Sequence, residues 1–215
     1  MRLRNIAGSR ERIAASPFAE NEPAAQRGHW RERFGAVEEK KLYLEIGMGK
    51  GAFLTEMARL HPDDLFVGME HFSSVLIRAV EKQEEDPLPN LLLLREEAER
   101  LPEFFAPGEA DGLYLNFSDP WPKEKHAKRR LTSPQFLARY EEILAQDGFL
   151  RLKTDNADFF AYSEQSIGER SGWEILRVSR DLYTEADIAD NVPTEYEIRF
   201  REQGNPIFFL QARRL

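Results

Sequence analysis

The chain has 215 residues, 32% of them charged and 41% hydrophobic, and a formal net charge of −8. Those values fit one soluble globular domain with a full core, and the acidic balance argues against a protein that coats nucleic acid over its whole surface. The absence of cysteine rules out disulfides and thiolate metal sites, and no apolar stretch approaches the ~20 residues of a membrane span.

Residues 1–40 mix charge, Pro and Ala without sustained periodicity, and Arg2, Arg4, Arg10 and Arg12 outweigh Glu11. Two readings stay open for this extension: a loosely packed segment, or an arm that touches a polyanion or folds over a ligand. No apolar run follows the basic start, so no signal peptide is expected and a cytoplasmic location is. From residue 41 to 215 strands and helices alternate in what reads as a single domain. Strands are predicted at 42–46, 65–69, 91–94, 112–117, 149–153, 173–179 and 206–212. Helices are predicted at 51–61, 72–82 with Ser73 or Ser74 as cap, 97–105, 134–145, 157–170 and 194–203, and a polar loop at 181–193. This alternation implies an α/β fold, a mostly parallel seven-stranded sheet with helices on both faces.

The first strand runs into Glu45-Ile46-Gly47-Met48-Gly49-Lys50-Gly51. Glycines at alternate positions between strand and helix make a tight turn that a ligand approaches closely. The second strand ends in Glu70, where an acid accepts hydrogen bonds from ribose hydroxyls in doubly wound sheets. The spacing is neither that of a dinucleotide fingerprint nor that of a P-loop. Glu45 beside the turn disfavours a pyrophosphate and favours an ammonium or sulfonium. The pattern therefore points to S-adenosyl-L-methionine rather than NAD or ATP.

The fourth strand ends in Asn116-Phe117-Ser118-Asp119-Pro120-Trp121-Pro122-Lys123, and Lys125, His126, Lys128, Arg129 and Arg130 follow closely. A basic segment at a strand end of an acidic chain is a candidate phosphate contact placed beside a reaction site. Alone, Asp119-Pro120 is also a common turn. Trp121 is equally a platform for a splayed base or a packed hydrophobe. The four histidines show no metal-ligand spacing.

These segments, with Gly68-Met69-Glu70 and Thr194-Glu195-Tyr196-Glu197, resemble the bacterial tRNA (guanine-N7-)-methyltransferases over residues 40–213. The Asp-Pro-Trp-Pro-Lys stretch with its basic tail is the specific part; the glycine turn is shared by most class I methyltransferases. Ser118 stands where the family usually has Pro, and Glu97-Ala98 where it usually has Asp-Ala. The resemblance implies a Rossmann-like class I methyltransferase fold. It implies methyl transfer to N7 of the variable-loop guanine at tRNA position 46. It implies cofactor contacts from Glu45, Gly47, Gly49, Glu70, Glu97 and Asp119, with Asp119 also catalytic. Substrate contacts follow at Lys123, Asp155, Thr194, Glu195, Tyr196 and Glu197, and RNA contacts at Lys125, His126, Lys128, Arg129 and Arg130. The Gram-positive members extend the expectation to a homodimer. Read locally, Asp155 is also a helix N-cap and Thr194-Glu195-Tyr196-Glu197 a capping box. Two other functions stay open on the sequence: methyl transfer to a small molecule or protein, and an RNA-binding module that has lost its cofactor.

Overall fold

A computed structural model describes residues 6–36, 40–184 and 191–215. Arg2 and Arg4 of the expected arm, and part of the expected 181–193 loop, lie outside the described residues. The strands are β1 (Leu42–Ile46), β2 (Leu65–Met69), β3 (Leu91–Leu94), β4 (Ala110–Asn116), β5 (Leu144–Thr154), β6 (Trp173–Ser179) and β7 (Phe208–Arg214). They form one sheet in the order β3-β2-β1-β4-β5-β7-β6, parallel except for β7, which runs antiparallel to both its neighbours. The helices are α1 (Ser9–Ala15), α2 (Trp30–Arg33), α3 (Ala52–Leu60), α4 (Ser73–Glu85), α5 (Leu101–Phe104), α6 (Pro134–Ile143), α7 (Ala157–Gly168) and α8 (Glu195–Glu202).

The strand period of two divides the core into two layers. Leu42, Leu44, Ile46, Leu65, Val67, Leu92 and Leu94 point to one face and pack with Phe104, Phe136, Tyr140, Phe159 and Phe160 of α5, α6 and α7. Phe66, Leu91 and Leu93 point to the other and pack with Ile13, Phe53, Leu54, Leu76 and Val80 of α1, α3 and α4. Burial on both faces is why the central strands read as unbroken apolar runs. It also carries every βα connection to the carboxyl ends of the parallel strands, along one rim.

Four elements depart from expectation. Ser73 and Ser74 do not cap α4: Phe72 is its N-cap, and the Ser73 hydroxyl accepts from Ser9 instead. The expected 97–105 helix splits into a 3-10 turn, Ala98–Arg100, and the short α5, because Pro102 has no N–H to continue a helix through it. Gln146-Asp147-Gly148 does not separate a helix from a strand. Strand β5 already begins at Leu144 and bends there, with Asp147 at φ 61° and a register shift against β4. The basic segment folds as a 3-10 turn, Glu124–Arg129, that the sequence did not reveal.

The extension is also not loose where it is described. Ile13 is buried as α1 packs on α4, and Arg12 pairs with Glu81. Phe18 and Glu20 hydrogen-bond the backbone of Leu93 in β3. Trp30 is fully buried, stacks on Phe105 at 5.0 Å, and donates its indole N–H to the Phe104 carbonyl at 2.9 Å. Trp30→Ala is therefore expected to destabilise the whole domain by ~3–5 kcal/mol, read as a lower urea midpoint. An unchanged midpoint would return the segment to the status of a loose arm.

Candidate active site

Glu45, the penultimate residue of β1, has 1% of its surface exposed. One carboxylate oxygen accepts from the Asn116 amide at 2.8 Å. The other is buried with no partner. Burial pushes its pKa up to about 8, against the opposing effects of the Asn116 hydrogen bond and the Lys153 charge. A cation brought to the unpartnered oxygen would favour the ionised form of Glu45, so this buried group is a place for one.

Gly47 and Gly49 follow with φ of 75° and 61°, a backbone that L side chains rarely adopt, and nothing stands within 4 Å of where a Cβ would project. The turn is thus an open backbone cradle. Glu70, buried at the end of β2, stitches it: one oxygen accepts from Gly49 N–H at 3.2 Å, the other from Phe72 N–H at 2.9 Å. Burial raises the Glu70 pKa above the usual carboxylate range, the two backbone N–H groups acting against it. Beside this acid opens a cleft of about 680 Å³, walled by Ile6–Glu11 at the start of the chain, His71–Ser74 and Arg95. Exposed Glu97 stands at the same rim, 3.4 Å from His71.

After β4 the chain turns through Phe117 and Trp121, both non-glycine residues at positive φ, 52° and 42°. Asp119 between them is exposed. Lys123, Lys125, Lys128 and Arg129 are exposed too. The Trp121 ring lies 5.6 Å from His126 and under the Arg129 guanidinium at 4.9 Å, so it faces its own basic turn. Arg130 breaks the pattern. It is half-buried, donates to the carbonyls of Pro120 and Trp121, and lies 4.3 Å above the Tyr162 ring. Its Nε and Nη2 are thus engaged inside the protein, unlike its exposed neighbours in the run.

Asp155 follows β5, and it is Asn156, not Asp155, that caps α7, by accepting from Phe159 N–H. Thr194 and Glu197 form the anticipated capping box of α8. Exposed Tyr196 stacks between Phe117 and Phe200, which brings α8 to the Asp119 loop, and exposed Glu195 pairs with Lys82 of α4. The Tyr196 phenol is pushed up by burial and by the nearby Asp155 charge, so those two residues share one corner. Glu197 departs from its expected substrate contact. It is fully buried and accepts from Lys153 at 2.7 Å, Tyr183 at 2.6 Å, Asn191 at 2.8 Å and Thr194 N–H at 3.1 Å. Burial alone would raise its pKa, but the Lys153 charge and these hydrogen bonds hold it below the ordinary value.

The sequence reading missed Lys153, Tyr183 and Asn191. Lys153 is 5% exposed at the end of β5, and burial lowers its pKa while Glu197 holds it charged. Its only signal was a cation at an inward strand position. Among the described residues no cluster could hold a metal, and no helix is long and apolar enough to cross a membrane.

A seven-stranded sheet with its last strand reversed, and a glycine cradle and acidic strand ends on one rim, define a class I methyltransferase fold. Solved structures agree on that fold. A 16S rRNA methyltransferase, KamB, matches at TM-score 0.63 with 18% identity over 87% of this chain and 93% of its own. An antibiotic-related methyltransferase matches at 0.65 with 16% identity over 87% and 94%. A 16S rRNA (adenine(1408)-N(1))-methyltransferase solved with cosubstrate SAM matches at 0.62 with 14% identity, over 87% and 90%. The family model described as putative methyltransferase matches residues 39–210. A tRNA (guanine-N(7)-)-methyltransferase of Lachnoclostridium phytofermentans is 49% identical over 99% of this chain and 98% of its own length. That of Geobacillus thermodenitrificans is 49% identical over 100% and 98%. The chain belongs to the tRNA (guanine-N(7)-)-methyltransferase family.

The raised pKa of Glu45 has a stability consequence of definite sign. Between the ordinary carboxylate range and about pH 8, the folded protein keeps a proton that the unfolded chain has lost. Stability from this group is full at low pH and is lost as pH rises through about 8. Glu45→Gln has no proton to lose. In urea titrations from about pH 5 to about pH 9 its midpoint should gain on the wild type as pH rises; the nearby Glu70 charge contributes to this, since it helps raise the Glu45 pKa. A pH-independent difference would mean that Glu45 titrates like a surface acid.

Proposed function

We propose that the protein transfers the methyl group of S-adenosylmethionine to N7 of a guanine in tRNA. The observation that carries the reading is one rim holding both a cation-ready cradle and, beside it, an exposed carboxylate on a basic loop. The full-length relatives named for this reaction support it.

The residues present fit S-adenosylmethionine. Glu45 offers its unpartnered oxygen to an ammonium, Gly47 and Gly49 leave backbone open to close approach, and Glu70 retains lone pairs for ribose hydroxyls. Glu97 stands next to that site through its contact with His71, which lines the cleft. The cofactor, when bound, supplies an electrophilic methyl on a sulfonium.

Guanine N7 carries an exposed lone pair, so no general base is needed. Nitrogen forms the new bond to the methyl carbon as the carbon–sulfur bond breaks, and the electron pair stays on sulfur. The base becomes cationic. What the site must give is alignment and tolerance of positive charge. Asp119 is free to accept from the guanine N1–H and amino group, and its charge offsets the one that develops. Lys123, Asp155, Thr194 and Tyr196 lie along the same rim as further substrate contacts, with Glu195 at the edge. Glu197 acts through Thr194, by fixing its backbone. Lys125, His126, Lys128 and Arg129 meet phosphates, which hold the tRNA without reading its sequence.

Unmodified tRNA incubated with the protein and S-adenosylmethionine should yield 7-methylguanosine on nucleoside mass spectrometry. A methylated product at another atom, or none, would sink the reading. Asp119→Asn keeps the size and loses the charge; its turnover should fall by about 10²-fold or more while cofactor affinity stays near wild type. Wild-type turnover in that variant would remove the electrostatic role of Asp119.

A further inference from the structure

Arg130 is one basic residue of a run, but its surroundings set it apart. Lys125, Lys128 and Arg129 are exposed; Arg130 is half-buried. Its Nε donates to the carbonyls of Pro120 at 3.1 Å and Trp121 at 3.3 Å, and its Nη2 donates to Trp121 at 3.1 Å. The face of Tyr162, on α7, sits under the guanidinium and offsets its partial desolvation.

The loop it grips needs such a partner. Pro120 and Pro122 have no N–H, so the segment cannot build a backbone ladder of its own. Phe117 and Trp121 hold positive φ without being glycine, a conformation that persists only where the surroundings over-determine it. Phe117 is fixed at one end by Tyr196, and by its N–H to the Lys153 carbonyl at 2.8 Å. Trp121 is fixed at the other end by Arg130. Asp119 lies between the two fastenings.

We propose that Arg130 is a positioning residue: its planar fork clamps the Pro120 and Trp121 carbonyls and so fixes Asp119 for the reaction. The idea rests on the reading of Asp119 given above. A lysine cannot substitute, because it offers a point charge without two donors in one rigid plane. Misplacing a reacting group by about 1 Å costs on the order of 10²-fold in rate, which sets the scale of the effect.

The test compares Arg130→Ala, Arg130→Lys and Tyr162→Leu with wild type and with Lys125→Ala as the phosphate-contact control. Three quantities are read: kcat for methyl transfer to tRNA, the slope of log affinity for tRNA against log salt, and the indole N–H resonance of Trp121. Lys125→Ala, at an exposed residue of the same run, should reduce the magnitude of the salt slope by about 1 and leave the Trp121 resonance where it is in the wild type. Arg130→Ala should lower kcat by roughly 10- to 100-fold, shift the Trp121 resonance, and keep the wild-type slope and cofactor affinity. Arg130→Lys should resemble Arg130→Ala in kcat and in the resonance. Tyr162→Leu should show a smaller loss of the same kind, and it carries the test with Arg130→Lys if Arg130→Ala does not fold. A flattened slope at unchanged kcat and unchanged Trp121 resonance, restored by Lys, would make Arg130 a phosphate contact and overturn the proposal. A shifted resonance with unchanged kcat would also overturn the positioning role, whereas the part of Asp119 is read from Asp119→Asn, so the two readings fail separately.

Discussion

The buried pair of Lys153 and Glu197 is the interaction on which the substrate side of the rim depends. At 2.7 Å and almost without solvent, such a pair gains little over an apolar substitute, yet removing one partner strands the other and costs ~3–5 kcal/mol. Its value here is registration. Lys153 sits on β5; Glu197 sits on a helix 44 residues later in the chain. Lys153 also donates to the Val192 carbonyl and to Asn191, and Tyr183 and Asn191 complete the shell of Glu197. One ion pair thereby ties the sheet, the segment before α8 and α8 itself. It brings Tyr196 against Phe117, and its positive end restrains the rise of the Glu45 pKa.

The same rim separates two kinds of carboxylate. Glu45 and Glu70 are buried and bonded to groups that orient them; Asp119 is exposed on a loop. The chain as a whole is acidic, and the basic turn at 124–129 stands against that balance. Opposed fields of this kind orient an incoming partner before contact and do so less as salt rises.

Strands β2 and β3 were legible as apolar runs closed by turns, and β1, β2, β3 and β6 have the bounds their sequences suggest. The glycine cradle and Glu70 were legible because their spacing is local. What stayed hidden depends on distance along the chain. Trp30 looks like any residue of a polar extension until Phe105 and the Phe104 carbonyl meet it. Glu197 reads as a capping acid, and is one, but nothing beside it announces Lys153. Arg130 is indistinguishable from Arg129 by composition; the carbonyls of two residues ten and nine positions earlier decide its role. Caps failed for a related reason: Ser73 found a partner in Ser9 and did not need to serve its own helix.

The contact of Phe18 and Glu20 with Leu93 has a bearing on how the protein stays dispersed. Strand β3 ends the sheet, and its four residues are all leucine. An uncovered edge of that kind recruits strands from other chains. Here the backbone of Leu93 is engaged on its open side by a segment some seventy residues upstream. The start of the chain is thus both a wall of the cleft and a cover over one edge of the sheet, and trimming it back past Glu20 would leave the leucine strand as an open template.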